Sequence, residues 1–256
     1  MSILEGKIAI VTGASAGIGR AAAKLFAGEG ASLVVTARRA ALLDALVEEI
    51  EASGGKATAL AGDIRDEDLH RRLVETAVER FGGLDIAFNN AGGTVAYGPV
   101  TETSADDWRA TLELNLTSGF LAAKYQAPAM IDRGGGSIVF TSTFVGHSAG
   151  MPGMGAYAAA KAGLTGLVQV LAAELGPHRI RVNALLPGGV DTDANPINFP
   201  GALPETIGFI RGLHALKRVA KPEEIAKAAL FLGSDMASFV TGSSMLADGG
   251  VSISRT

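Results

Sequence analysis

The chain has 256 residues, 48% of them hydrophobic and 19% charged, which is ample material for a core and excludes a disordered chain. Its 26 acidic and 22 basic side chains leave a net charge of −4, and the basic pairs Arg38-Arg39 and Arg71-Arg72 stand alone, so nothing resembles a nucleic-acid surface. With no cysteine there is no disulfide and no thiolate metal site.

Residues 3–11 carry Glu5 and Lys7 and read as a strand rather than as a signal peptide. Within them Ile8-Ala9-Ile10-Val11 is a continuous apolar run, as a strand buried on both faces requires. A glycine-rich turn follows, then a helix over 20–27 that Gly28 and Gly30 stop, then a second strand over 32–37. Residues 40–52 place Leu42, Leu43, Leu46, Val47 and Ile50 at helical spacing with glutamates opposite. A weaker strand over 56–61 and a polar-faced helix over 66–80 come next. Residues 84–88 and 137–143 read as two more buried strands, separated by helices around 105–116 and 119–130. The segment 155–175 is a helix of small and apolar residues, expected to be packed on most sides. A sixth strand over 180–186 ends at Pro187-Gly188-Gly189, and a Pro/Gly/Asn-rich stretch to Pro204 reads as a mobile loop. A helix over 222–232 begins with proline, and 244–247 is the last strand.

Strand and helix alternate throughout, and no linker of distinct composition divides the chain. One α/β domain over 1–256 is expected, with a parallel sheet covered by helices on both faces. No uninterrupted apolar run approaches the ~20 residues that span a bilayer, so no membrane partner and a cytoplasmic location are expected.

Gly13, Gly17 and Gly19 sit between the first strand and the first helix. Glycine lets such a turn adopt positive φ and lets backbone amides approach a phosphate, while the helix N-terminus adds the positive end of its dipole. A dinucleotide is the expected ligand. An acid that would grip the adenine ribose belongs about 20 residues further on, at the end of the second strand. Ala37 stands there instead, followed by Arg38 and Arg39. A carboxylate would repel a 2′-phosphate and a guanidinium would bind it, so NADP(H) is favoured over NAD(H), with Arg38 as the phosphate contact. The alternative is that both arginines are ordinary surface charge.

Tyr157 and Lys161 lie four residues apart, one turn apart on the same face of a helix. Reduction of a carbonyl needs a proton donor at the developing alkoxide and a positive field around it. A free phenol, with a pKa of about 10, is a poor acid–base at neutral pH, and an ammonium held close favours its phenolate.

The order of Thr12-Gly13-Ala14-Ser15-Ala16-Gly17-Ile18-Gly19, Asn89-Asn90-Ala91-Gly92 and Tyr157-Ala-Ala-Ala-Lys161 resembles the short-chain dehydrogenase/reductase family, in its 3-oxoacyl-acyl-carrier-protein reductase-like, single-domain branch. The resemblance spans 7–250. It implies a Rossmann-like doubly wound fold with a seven-stranded parallel sheet in the order 3-2-1-4-5-6-7, and a cofactor at the carboxyl ends of the strands. It implies an NADP-dependent oxidoreductase interconverting a ketone and a secondary alcohol without a metal.

By the same resemblance, Tyr157 is the acid–base and Lys161 holds the nicotinamide-side ribose. Asn115 holds a water in a proton relay; the plainer alternative is a polar residue breaking a helix. Gly13, Ser15, Gly17, Ile18 and Gly19 meet the pyrophosphate, Asp63-Ile64 the adenine, and Asn90-Ala91-Gly92 the region beside the nicotinamide-side ribose. Pro187, Gly188, Val190 and Thr192 belong to the loop that meets the carboxamide and phosphates. The hydroxyl that steadies the substrate carbonyl is open. Phe144 stands at the family's usual distance before the tyrosine and cannot serve. Counting back from Gly146 favours Thr143, which implies an insertion within 147–155, and Ser142 stays in play. His147 adjoins this site but, standing alone, reads as a loop hydrogen-bonder.

Residues 193–213 would form a substrate lid. Its Ile197, Phe199, Ile207, Phe209 and Ile210 suggest an apolar or amphipathic small molecule, although packing onto the domain accounts for them more simply. The family's habit and the apolar helix 155–175 lead to a homotetramer. Two other functions use the same scaffold: an NADP sensor without turnover, and a dehydratase or epimerase.

Overall fold

The apolar runs become strands in the computed structural model, which describes residues 2–254; Met1, Arg255 and Thr256, the ends of the expected domain, lie outside the described residues. The strands are β1 (Ile8–Thr12), β2 (Ser32–Thr36), β3 (Lys56–Ala59), β4 (Ile86–Asn89), β5 (Gly136–Thr141), β6 (Ile180–Pro187) and β7 (Ser244–Ala247). They form one parallel sheet in the order β3-β2-β1-β4-β5-β6-β7. Ile10 is in register with Val34 on one side and Ala87 on the other.

The helices are α1 (Gly17–Gly28), α2 (Ala40–Ala52), α3 (Glu67–Phe81), α4 (Ala105–Leu112), α5 (Ser118–Arg133), α6 (Gly155–Leu175), α7 (Pro204–Gly212) and α8 (Pro222–Gly233). Alternation along each strand divides the core in two. Ala9, Val11, Leu33, Val35 and Phe88 point to the face covered by α1, α2 and α8, through Phe26, Leu46 and Ile225 among others. Ile8, Ile10, Val34, Ala87 and Phe140 point to the face covered by α3, α5 and α6, through Leu73, Met130 and Leu164. Each fully buried Val, Leu, Ile or Phe contributes about 1.5–3 kcal/mol. The chain order reverses at β1, whose neighbours β2 and β4 send their connections to opposite faces, and a crevice opens there beyond the carboxyl ends of the strands.

Three elements differ from the expectations. The two helices of the 105–130 region are one rod, joined by a π-helical turn at Glu113–Thr117. Asn115 produces the bulge: its Nδ2 donates to the Thr111 carbonyl (3.0 Å), taking an acceptor of the helix's own ladder. Second, α6 is not packed on most sides. Only the stripe Ala156, Ala160, Lys161, Leu164, Val168, Ala172 and Leu175 is buried, and Val170 is 54% exposed. Residues 155–178 have the length and hydropathy of a membrane span, but that stripe is seated on the sheet. Third, the loop read to Pro204 gives way to α7, with proline at its first turn where no amide is missed.

Candidate functional site

The crevice is built on a threonine. Thr12 closes a strand of otherwise apolar residues, and its Oγ1 accepts from both the Asn90 and the Ala91 N–H (2.9 Å each). The Asn90 side chain donates back to the Thr12 carbonyl (3.2 Å) and accepts from Thr141 Oγ1 (3.2 Å). The ends of β1, β4 and β5 are thus latched together, and Asn90-Ala91-Gly92 is fixed beside the glycine turn.

In that turn a Cβ on Gly19 would lie 2.3 Å from the Gly13 carbonyl oxygen, so only glycine lets α1 begin this close to the strand. The helix starts at Gly17, earlier than expected, with no side chain capping it from Ala16 and no acid in its first turn. Its leading amides and dipole end therefore remain for an anion. Gly17 faces Thr192, whose Cγ2 would lie 2.9 Å from a Cβ there. The donors and the glycine cradle fit a dinucleotide pyrophosphate. A groove of about 700 Å³ continues from Gly17 and Thr192 between α1 and α8.

Arg38 and Arg39 are both exposed at the end of β2. Arg39 reaches the turn directly, donating from Nη2 to Ser15 Oγ (2.9 Å). Asp63 pairs with Arg65 (2.6 Å), which holds its carboxyl below the usual range, and Ile64 is buried beside it. Ile18 is half-buried against the core. On the far side, Pro187 ends β6, and Val190 is bridged to Ala220.

Tyr157 and Lys161 project from the first turns of α6. Lys161 is buried and donates to the Thr141 carbonyl (2.7 Å), with its Nζ 5.9 Å from the Tyr157 ring centroid. Burial pulls the ammonium down to about 8. The Tyr157 phenol, half-buried at the mouth of the site, is pushed up to about 12 by desolvation, which the Thr143 hydroxyl partly opposes. Proximity to Lys161 therefore does not by itself bring the phenol toward neutrality, contrary to the expectation from spacing; desolvation dominates both groups.

The two candidate hydroxyls separate cleanly. Both lie just past the end of β5, which stops at Thr141 rather than Thr143. Ser142 Oγ donates to the Lys161 carbonyl (3.0 Å), turned inward against α6. Thr143 Oγ1 accepts from the Val145 N–H (3.2 Å), leaving its own proton for the Tyr157 oxygen. His147 is exposed.

Asn115 exchanges hydrogen bonds with Gly93: Oδ1 accepts from its N–H (3.0 Å) and Nδ2 donates to its carbonyl (2.8 Å). A Cβ on Gly92 would lie 2.8 Å from Asn115 Oδ1 and 3.1 Å from Lys161 Nζ, which shows how tightly these groups converge. Behind them lies a cavity of about 20 Å³ lined by Thr12, His70, Asn89, Asn115, Ser118 and Lys161 among others. Such a volume accommodates about one water molecule. His70 is buried there, with Nε2 held by the Ile64 carbonyl (2.7 Å) and Nδ1 without a protein partner.

Four features escaped sequence reasoning. The Thr12 latch had a signal, a polar residue closing an apolar strand. The reciprocal Asn89–Gln126 pair (2.9 Å each way), His70 and the buried His214 had none, because their partners are distant in the chain or lie on the backbone.

Residues 13–252 match the family model described as Enoyl-(Acyl carrier protein) reductase. The chain is 43% identical over 254 residues to a 2,5-dichloro-2,5-cyclohexadiene-1,4-diol dehydrogenase of Sphingobium indicum, covering 98% of both. It is 39% identical over 250 residues to the 3-oxoacyl-[acyl-carrier-protein] reductase of Thermotoga maritima, covering 98% of this chain and 99% of that one. A solved 7α-hydroxysteroid dehydrogenase, complexed with NADH and 7-oxo glycochenodeoxycholic acid, superposes with a TM-score of 0.90 at 38% identity, covering 96% of this chain and 94% of that one.

Proposed function

The chain belongs to the short-chain dehydrogenase/reductase family of oxidoreductases, which act on CH–OH and C=O groups with NAD(P), and from that premise we propose that it is an NADP(H)-dependent enzyme interconverting an uncharged alicyclic ketone and its secondary alcohol. The observation that carries the reaction is the buried Lys161, its Nζ 5.9 Å from the Tyr157 ring centroid and held by the Thr141 carbonyl two residues before Thr143. When bound, the cofactor supplies or accepts the hydride.

Gly13, Ser15, Gly17, Ile18 and Gly19 hold its pyrophosphate, and Asp63-Ile64 the adenine. Asn90, Ala91, Gly92, Tyr157 and Lys161 line the nicotinamide-side ribose. Pro187, Gly188, Val190 and Thr192 take the carboxamide and phosphates. Arg38, with Arg39 beside it, takes the 2′-phosphate.

In reduction Tyr157 gives its proton to the substrate oxygen, and in oxidation it withdraws the alcohol proton. Its high phenol pKa suits the donor role at neutral pH. Thr143, fixed through the Val145 N–H, turns its one hydroxyl proton from the Tyr157 oxygen to the substrate oxygen when substrate is bound. Ser142 positions α6 by holding the Lys161 carbonyl. Lys161 supplies the positive field. Asn115 holds the 93 segment and, with Lys161, lines the cavity where a relay water would sit.

The substrate class follows from charge. Residues 92–101 and 194–204 contain no charged side chain, and 142–156 contain only His147. Tyr97 packs over Gly153, and Phe144 and Val145 are backed by Met151, Met154 and Leu213. Arg211, the one cation of the 193–213 lid, is exposed, and no cation on these segments would hold a carboxylate or phosphate, whereas a ring hydrocarbon bearing one oxygen fits an apolar wall. Two of the similar enzymes bear names of alicyclic alcohols and steroids, which supports the ring part of the reading; the steroid ligand itself carries a carboxylate, so the absence of charge rests on the segments above alone. A single domain carries both sites, with 193–213 as the lid. We also propose a homotetramer, which would cover the exposed side of α6 together with Phe120 and Ile131; light scattering at micromolar concentration tests it.

The decisive experiment is a carbonyl panel with NADPH and with NADH. Alicyclic ketones should be reduced with one NADPH consumed per alcohol formed, at higher kcat/KM than acyl thioesters or keto acids. Binding of NADPH without consumption would return the protein to the sensor reading, and product formation without consumption to a dehydratase or epimerase.

A further inference from the structure

His214 follows α7 and is 2% exposed, yet no step above uses it. Its Nε2 lies 2.9 Å from the Gly189 amide nitrogen. A backbone amide can only donate, so Nε2 must carry the lone pair and the ring proton must sit on Nδ1. Nδ1 lies 2.9 Å from the Ile210 carbonyl oxygen, to which it donates. That carbonyl belongs to the last turn of α7, where helix acceptors lack ladder partners. One neutral imidazole therefore joins the end of the lid helix to the loop that follows β6.

The surroundings are shaped to this ring. A Cβ on Gly188 would lie 2.9 Å from Nε2, one on Gly189 3.0 Å from Cε1, and one on Gly249 3.3 Å from Cδ2. Glycine at all three positions leaves the space the imidazole fills. Gly189 is held from its other side as well, its carbonyl accepting from the Ala220 N–H (2.8 Å). The opposite end of the lid returns to the same place, since Asn195 Nδ2 donates to the Val190 carbonyl (2.9 Å). Both ends of the 193–213 segment are thus anchored on the adjacent residues Gly189 and Val190.

We propose that His214 is a positioning residue that couples seating of the α7 lid to the Pro187-Gly188-Gly189 loop, so that ordering one orders the other. This rests on the reading of that loop as a cofactor contact. The loop cannot shift at Gly189 without pulling the ring, and the ring cannot shift without releasing Ile210. Substrate closure and cofactor binding then share one element.

The test is hydrogen exchange of α7 amides, without and with saturating NADP⁺, in the wild type, His214→Phe and His214→Gln. Phenylalanine keeps a ring but neither hydrogen bond, whereas the Gln side-chain oxygen can accept from Gly189. NADP⁺ should slow α7 exchange in the wild type, leave it unchanged in His214→Phe, and slow it again in His214→Gln. His214→Phe should also raise the NADP⁺ Kd and the ketone KM by about 2- to 10-fold, the scale of one neutral hydrogen bond, with kcat less affected. Equal cofactor-induced protection in the wild type and His214→Phe would overturn the coupling. Failure of the wild type to bind NADP⁺ would instead count against the functional reading, and the clamp is then tested without ligand. Faster α7 exchange in the cofactor-free variant and an Nδ1-protonated ring by ¹⁵N NMR of the wild type support it; unchanged exchange or an Nε2-protonated ring rejects it. If His214→Phe does not fold, His214→Asn, which reaches Ile210 only, takes its place in the same comparison.

Discussion

Replacing Thr143 with valine keeps the volume of the side chain and deletes its hydroxyl, so it separates chemistry from packing. In the wild type that hydroxyl accepts from the Val145 N–H (3.2 Å) and opposes the rise to about 12 that desolvation imposes on the Tyr157 phenol. A hydrogen bond to a charged group contributes about 1.5–3 kcal/mol, which corresponds to roughly a 10- to 150-fold change in rate. Thr143→Val should lose kcat on that scale, and Thr143→Ser should recover most of it. Ser142→Ala removes a bond to the Lys161 carbonyl that serves only to hold α6. Its expected effect is on stability, about 1 kcal/mol or ~2–4 °C in Tm for a chain of this size, with kcat within several-fold of wild type. The assay is steady-state ketone reduction at saturating NADPH, with thermal melts run on the same samples. Near-normal turnover in Thr143→Val, together with loss of most turnover in Ser142→Ala, would transfer the substrate contact to Ser142 and refute the assignment.

Tyr157→Phe should bind NADPH as the wild type does in a fluorescence titration and lose at least ~100-fold in turnover; undiminished turnover would remove Tyr157 from the acid–base role. Arg38→Ala should erase most of a roughly 10- to 150-fold preference for NADPH over NADH in kcat/KM, and Ala37→Asp should reverse it, read at fixed ionic strength because the exposed guanidinium is screened by salt. A wild-type preference for NADH would leave Arg38 and Arg39 as surface charge. If Tyr157 is the acid–base, alcohol oxidation needs its phenolate, and with the phenol pushed up to about 12 the rate should climb toward tenfold per pH unit above neutrality, while ketone reduction, drawing on the protonated phenol, should not climb. Lys161 supplies a stability check of known sign. Its folded pKa of about 8 is below the ordinary lysine value, so the unfolded chain binds more protons between about pH 8 and 10.5, and unfolding free energy should rise with pH across that window. Urea titrations of the cofactor-free wild type against Lys161→Met should show that rise in the wild type alone.

What the amino-acid sequence discloses, and what it withholds, divides along a physical line. Continuous apolar runs such as Ile8-Ala9-Ile10-Val11 need two covered faces whatever surrounds them, so the seven strands and their alternation with helices were legible from local pattern. The glycine turn was legible for a similar reason, since a Gly13–Gly19 approach this close excludes every other residue. Element ends were less legible because they answer to tertiary partners. Asn115 sits in a π turn with its side chain shared between the Thr111 carbonyl and the distant Gly93, and Ser142 and Thr143 fall outside β5. Proton affinities were the least legible. A four-residue spacing places a phenol and an ammonium on one face but says nothing of the water around them, and here burial moves both groups toward their neutral forms, Tyr157 up and Lys161 down. The pair is consequently a neutral donor beside a weakened cation rather than a preformed phenolate. On the mechanism proposed above, a site in that state would be primed to give a proton to a carbonyl oxygen, and running it toward the ketone would require that Thr143 and Lys161 together offset the desolvation of Tyr157.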